Sequence, residues 1–314
     1  MEDGMWKTRL KRELSCAVEE EKDLSPVSTS GVGGVGEFFA EPSDLEDVRA
    51  LFRLRKDAGF PLRILGGGTN VVFADGVLEG VVLSTRRMTG RRWLPDGDDA
   101  VLEAEAGYLL SLVVNESSGE GFSGAEFALG IPGTVGGAVA GNAGAGGRSI
   151  GELLDEFTTV EIDGSLRKWR RGEFDCAYRY FSPAAPDRLI ASCKLRFKRA
   201  PRADIDRTIE EFRRARSIQP HGKRSAGCAF RNPPGDSAGR LLDFCGCKGL
   251  RIGDAVVSEA HANFILNLDR TRGDDIFELM ELCRDIVFQK TGIRLEPEIK
   301  LMGFQREFSS PRTP

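Results

Sequence analysis

The chain is short of histidine and of disulfide pairs. Its seven cysteines are odd in number and include no CxxC pair, and His221 and His261 are the only histidines. That argues against a disulfide framework and against a zinc site. No apolar run reaches the roughly eighteen residues a transmembrane helix needs, and the opening MEDGMWKTRLKREL lacks the apolar centre of a signal peptide. A cytosolic, cytoplasmic protein with reduced thiols and no membrane insertion is expected. Basic charge is not in excess either: 44 Lys and Arg are interspersed with 48 Asp and Glu, for a net charge of −4. No polybasic face is left to draw nucleic acid. At 314 residues the chain can bury the cores of two or three domains.

Glycine, in contrast, is abundant and clustered. Residues 130–147 read GIPGTVGGAVAGNAGAGG, and such a run lets backbone amides approach a bulky ligand closely. Ile131, Pro132, Val135, Val139 and Asn142 interrupt it with packing residues, which separates it from a flexible linker. The run is too rich in glycine to make a good helix or strand. A second glycine turn, Gly66, Gly67, Gly68, Thr69 and Asn70, falls between strands predicted at 62–65 and 71–73. Such a turn can be a plain tight loop or, through its amides and two polar side chains, a nest for a diphosphate. It is not the dinucleotide fingerprint, because β-branched residues follow it where that motif opens a helix. Two such cradles suit a long ligand with a central diphosphate.

Elsewhere, residues 5–21 are expected to form a helix ending in the acidic run Glu19, Glu20 and Glu21. A capping box of Ser43 with Glu46 opens another, whose Leu45, Val48, Leu51 and Phe52 share a face until Gly59. Strands are expected at 101–106, 157–162 and 189–197, the last two around an Asp163-Gly164 turn, and at 256–257 and 264–268. Helices are expected at 108–117, 205–216, 237–244 and 274–290. In the last helix Ile276, Leu279, Met280, Cys283, Ile286 and Val287 recur at helical spacing and form a core stripe.

Three polar stretches are not required by folding alone: Tyr178-Arg179, SAGCAFRNP at 225–233, and LEPE at 295–298. Singly, each reads as an exposed arginine, a small buried thiol and a solvated glutamate. Together with both glycine cradles, with NAGA at 142–145, CKGLRIGDAVVSEAHANFILN at 247–267 and LEPEIKLMG at 295–303, they make the chain resemble the UDP-N-acetylenolpyruvoylglucosamine reductase family from residue 24 to 303.

The resemblance implies an α+β fold. A two-lobed FAD-binding domain of the vanillyl-alcohol oxidase-like type would occupy 20–199, with lobes at about 20–105 and 106–199. A helical extension at 1–19 would precede it, and a smaller C-terminal α/β substrate domain at 200–306 and a tail at 307–314 would follow. The class implied is the shorter one, without the extra loop and its pyrophosphate-binding tyrosine. FAD held non-covalently, NADPH as hydride donor and a UDP-sugar enolpyruvyl ether as substrate are implied, with no protein partner.

In the implied reaction, hydride arrives at the terminal carbon of the enolpyruvyl group and pushes negative charge onto the adjacent carbon and its carboxylate. The site then needs fixed positive charge and a proton donor. The resemblance assigns Arg179 to that carboxylate, as a planar fork, and makes Glu298 the catalytic glutamate, with Glu296 as its structural neighbour. Cys228 stands where the family usually has the serine that protonates the carbanion; a thiol, with a reference pKa of about 8.5, is the stronger acid. Gly66, Gly67, Gly68, Thr69, Asn70, Gly130, Ile131, Pro132, Gly133, Thr134, Gly136, Gly137 and Ala138 are implied to hold FAD, and Tyr178, Asn232, Lys248 and His261 the UDP-sugar. Two other readings stand beside this one: an FAD oxidase of the same fold, and a nucleotide-sugar-binding protein that lost proton transfer at Cys228.

Overall fold

Residues 4–185, 187–220 and 222–308 are described by a computed structural model; His221 and most of the 307–314 tail lie outside the described residues. The Met5–Glu13 helix turns its apolar side into a core, burying Leu10 and stacking the Trp6 ring on Phe60 with centroids 4.4 Å apart. The helix expected to reach residue 21 stops at Glu13, and the acidic run lies instead in the strand Val18–Asp23. The cause is local. The Asp47 carboxylate accepts hydrogen bonds from Ser15 N at 2.7 Å, Ser15 Oγ at 2.9 Å and Cys16 N at 2.8 Å, which pins the chain just past the helix.

Burial alone would raise the Asp47 pKa, but the bonds from Ser15 and Cys16 outweigh it and hold the carboxyl below the usual range. Asp47→Ala is therefore expected to lower stability to urea by about 2–4 kcal/mol, the scale of losing several charge-assisted bonds at one buried group. Because the folded pKa is the depressed one, this contribution is present above the ordinary Asp pKa of about 3.9 and fades as pH falls below it. Parent and variant should converge in acid; a difference that persists there would contradict the assignment.

The chain divides into two compact units. The first comprises the chain up to Glu20, Phe38–Gly67 and Glu79–Ser217; the second comprises Glu21–Glu37, Gly68–Leu78 and the chain from Ile218 on. Compared with a single cut near residue 200, two early segments group with the C-terminal residues, and the Arg202–Arg216 helix groups with the first unit.

Two apolar clusters fill the first unit. One gathers Leu10, Val48, Leu51, Phe52, Leu62 and Val81 around the Leu45–Ala58 helix. That helix ends at Gly59 with φ 76° as its sequence demands, but its cap is Asp44, accepting from Asp47 N, not Ser43. An aspartate one residue nearer the helix satisfies the amide one residue further on, that of Asp47, and adds its charge to the positive helix end. The other cluster holds Leu102, Val113, Phe127, Val135, Leu154, Phe157 and Phe197 on a largely antiparallel sheet. Its strands run in the order Leu166–Arg170, Leu154–Val160, Leu189–Arg199, Asp99–Glu105, Arg91–Asp96. The strand Leu166–Arg170 is an addition to the expected set, and the Asp163-Gly164 turn leads into it, with Glu161 N bonded to Ser165 O at 2.9 Å.

In the second unit an antiparallel sheet runs in the order Arg224–Cys228, Phe264–Asn267, Ala255–Val257, Arg251–Ile252. The Gly273–Thr291 helix buries Ile276, Leu279, Met280, Cys283 and Val287 in the same core as Leu241, Cys245 and Cys247, as the helical spacing requires. Val71–Phe73 pairs in parallel with Lys300–Met302. No helix among the described residues is long and apolar enough to cross a membrane.

Candidate active site

The glycine-rich run contains, against expectation, a short helix at Val135–Ala140. It forms because its glycines and alanines allow backbone to pack on backbone: Gly136 N donates to Ala106 O at 2.9 Å, and a Cβ on Gly136 would stand 2.8 Å from the Ala106 Cβ. Gly136 is thus glycine for packing. Gly66 closes on the same helix from the other run, since a Cβ there would lie 2.9 Å from Thr134 Oγ1 and 3.6 Å from Gly137 Cα. Gly66 and the Thr134–Gly137 stretch, far apart in sequence, share one wall within the first unit. Thr134 is buried and its Oγ1 has no hydrogen-bond partner among the described residues, nor has Oε1 of buried Glu126 just upstream. Beside that hydroxyl Gly137 is open: a Cβ on it would meet only Thr134 Oγ1, at 3.5 Å.

Tyr178 and Arg179 form the tip of a hairpin in which Ala177 pairs with Tyr180. Arg179 has φ 53°, a conformation rare outside glycine, and its Nη1 donates to Gly144 O at 3.4 Å while its guanidinium faces the Tyr178 ring at 5.1 Å. The arginine is thereby tied to the NAGA segment that follows the short helix.

The remaining candidates meet in the second unit. Cys228 ends its strand opposite Phe264, after a bulge at Ala226 and Gly227 that the Gly227 φ of 81° permits. The next residue, Ala229, accepts a bond from Glu298 N at 2.8 Å, and Arg231 N donates to Glu296 O at 2.8 Å, so the LEPE segment lies along SAGCAFRNP. Asn70, the last residue of the glycine turn, donates from Nδ2 to Glu298 O at 3.1 Å and accepts from Lys300 N at 2.9 Å. Cys228, Glu298 and Asn70 are brought together by main-chain bonds at Ala229 and Lys300 and by the Asn70 carboxamide, without use of the Cys228 thiol or the Glu298 carboxyl.

Asn232, Lys248 and His261 surround the Ala238–Phe244 helix. Asn232 Oδ1 accepts from Ala238 N at 3.0 Å, and Lys248 pairs with Asp243 at 2.6 Å, so part of its charge is spent locally. Burial, and then the nearby Lys248, lower the His261 pKa and keep the ring neutral at pH 7. His261 Nδ1 accepts from Asn263 N at 3.2 Å, which puts the proton on Nε2 and makes that nitrogen a donor.

Two asparagines outside the expected site hold it in place. Asn263, 3% exposed, clasps Phe230 at both ends, accepting from its N–H at 2.9 Å and donating to its carbonyl at 2.8 Å, and so fixes the strand beyond Cys228. Asn142 holds the arginine hairpin. The sequence signal was a lone buried-type asparagine in each motif, at Asn142 in NAGA and at Asn263 in HANF. Among the described residues no cluster of three His, Cys, Asp or Glu could hold a metal ion.

Residues 219–302 match the family model of the UDP-N-acetylenolpyruvoylglucosamine reductase C-terminal domain, and residues 37–169 match that of an FAD binding domain. The UDP-N-acetylenolpyruvoylglucosamine reductase of Geobacter metallireducens is 36% identical over 304 residues, which is 96% of this chain and 99% of that one. The chain belongs to the UDP-N-acetylenolpyruvoylglucosamine reductase family. UDP-N-acetylenolpyruvoylglucosamine reductase 2 of Symbiobacterium thermophilum is likewise 36% identical, over 87% of this chain and 88% of its own. The crystal structure of the reductase from Thermus caldophilus, 35% identical, superposes with a TM-score of 0.77 over 91% of this chain and 99% of that one. The fold is α+β, an FAD-binding domain with the family's C-terminal domain.

The residues present fit FAD on their own geometry, through the orphaned Thr134 hydroxyl, the space above Gly137 and the shared wall with Gly66. Gly137→Val is expected to leave the melting temperature within a few degrees, because the protein itself accommodates the Cβ, and to weaken FAD binding at least about tenfold by filling the cradle. Fluorescence titration of the apoprotein with FAD checks this. Gly136→Val should instead lower stability, through the clash with Ala106.

Proposed function

We propose that this protein is the NADPH-dependent, FAD-containing reductase that converts the enolpyruvyl ether of UDP-N-acetylglucosamine to UDP-N-acetylmuramate, a cytoplasmic step of peptidoglycan precursor synthesis. The observation that carries the reading is the convergence of Cys228, Glu298 and Asn70 in one hydrogen-bond network, inside a chain that matches the family along nearly its whole length. FAD, bound in the glycine cradle without a covalent bond, would supply the hydride chemistry between NADPH and the substrate double bond.

The protein's part is orientation, charge and a proton. Arg179 holds the substrate carboxylate with two parallel N–H bonds and favours the charge that builds there. Cys228 gives its proton to the carbanionic carbon, and Glu298 in its protonated form donates a hydrogen bond to the enolate. At the nucleotide end Lys248 supplies a point charge to the diphosphate, Tyr178 and Asn232 polar contacts, and His261 its Nε2–H. Glycines 66, 67, 68, 130, 133 and 137, with Ile131, Pro132, Thr134, Ala138, Thr69 and Asn70, line the FAD cradle.

An oxidase of the same fold would deliver its electrons to oxygen, and a silent binding protein would deliver none. Acid precipitation should release FAD into the supernatant, and in an anaerobic cell the enolpyruvyl substrate should restore the blue absorbance of the NADPH-reduced protein. A colourless protein that FAD does not reconstitute, or one whose colour returns only with air, would rule the proposal out.

A further inference from the structure

We infer that Asn142 is the positioning residue for Arg179, linking the end of the flavin cradle to the arginine hairpin. The inference rests on the proposed role of Arg179 at the substrate carboxylate.

Asn142 is 3% exposed and has φ 40°, so both it and Arg179, at φ 53°, are non-glycine residues in the left-handed region. Such conformations persist only where the surroundings fix them. Here they fix each other. Asn142 Nδ2 donates to Ala177 O at 2.7 Å, at the base of the two-residue turn that carries Arg179, and its Oδ1 accepts from Gly151 N at 3.0 Å. Arg179 returns a bond from Nη1 to Gly144 O at 3.4 Å, two residues beyond Asn142. The packing is close on the far side as well: a Cβ on Gly151 would stand 2.9 Å from Asn142 Oδ1 and 2.7 Å from Cys176 Sγ.

Both carboxamide atoms are therefore committed within the protein, and the side chain acts through the hairpin. Ala177 is exposed, so water can replace the lost donor and the hairpin should survive without Asn142. What is lost is the fixed direction of a long, rotamer-rich arginine, and misplacement of a reacting contact by about 1 Å can cost as much as 10²-fold in rate.

The test uses the holoenzyme with Asn142→Asp, which keeps the Oδ1 acceptor but turns an oxygen toward Ala177 O, and Asn142→Ala. Both should keep FAD stoichiometry and the rate of flavin reduction by NADPH within about twofold, while reoxidation by the enolpyruvyl substrate slows about tenfold or more. Substrate affinity measured calorimetrically should weaken in parallel. In a double-mutant cycle Asn142→Ala with Arg179→Lys should be no slower than Arg179→Lys alone, because the two changes disable one contact.

Additive losses, a parent rate of reoxidation, or loss of FAD as the main effect would each overturn the inference. Failure of both variants to fold would overturn it as well, by making Asn142 a residue of the fold. If Arg179→Lys itself reoxidises at the parent rate, the role given to Arg179 has failed, and the positioning role falls with it.

Discussion

Cys228→Ala is expected to slow substrate reduction by about 10² to 10⁴, the range a single general acid contributes, while Cys228→Ser keeps substantial activity. The structure makes this comparison clean. Cys228 is anchored by its strand pairing with Phe264 and by the neighbouring bond from Glu298 N to Ala229 O, none of which involves the sulfur. Alanine and serine both fit where a thiol did, so the two variants differ mainly in whether a proton is available. Stopped-flow reoxidation measures the loss, and solvent deuterium incorporation at the protonated carbon identifies its step. Parent turnover in Cys228→Ala, with normal incorporation, would make water or another group the acid.

The second large effect is expected from Arg179→Lys and Glu298→Gln, each slowing reoxidation by substrate about a hundredfold or more and sparing flavin reduction by NADPH. That is the scale seen when one preorganised electrostatic group is removed. Lysine at 179 keeps a positive charge and meets the same φ 53°, so the change isolates the loss of a bidentate fork. Glutamine at 298 keeps the side-chain volume, and the bonds to Ala229 O and from Asn70 Nδ2 are made by its main chain, so only the carboxyl is altered. Equal slowing of both half-reactions would point to a disturbed flavin; no slowing in either would remove both residues from the chemistry.

Much of this was legible in the sequence where local chemistry decides structure. The Gly273–Thr291 stripe and the Gly59 stop followed from spacing and from glycine's freedom. Where one distant side chain redirects the chain, the sequence was silent: nothing between residues 13 and 21 reveals that Asp47 will capture Ser15 and Cys16. The helix at Val135–Ala140 was hidden for a related reason. Intrinsic propensity disfavours it, and tertiary packing of Gly136 on Ala106 overrides propensity. Catalytic candidates came from motif order, whereas the asparagines that brace them, Asn142 and Asn263, make long-range bonds that spacing does not encode.

The central claim is a reduction carried from NADPH through FAD to an enolpyruvyl UDP-sugar, and its most direct measurement is the stoichiometry of an anaerobic reaction followed by mass spectrometry. One NADPH should disappear for each UDP-N-acetylmuramate formed, with the product heavier than substrate by two hydrogens, at least one of them deuterium when the reaction is run in D₂O. NADPH consumption that is independent of the enolpyruvyl substrate, or a substrate recovered unchanged from protein that holds FAD, would contradict it.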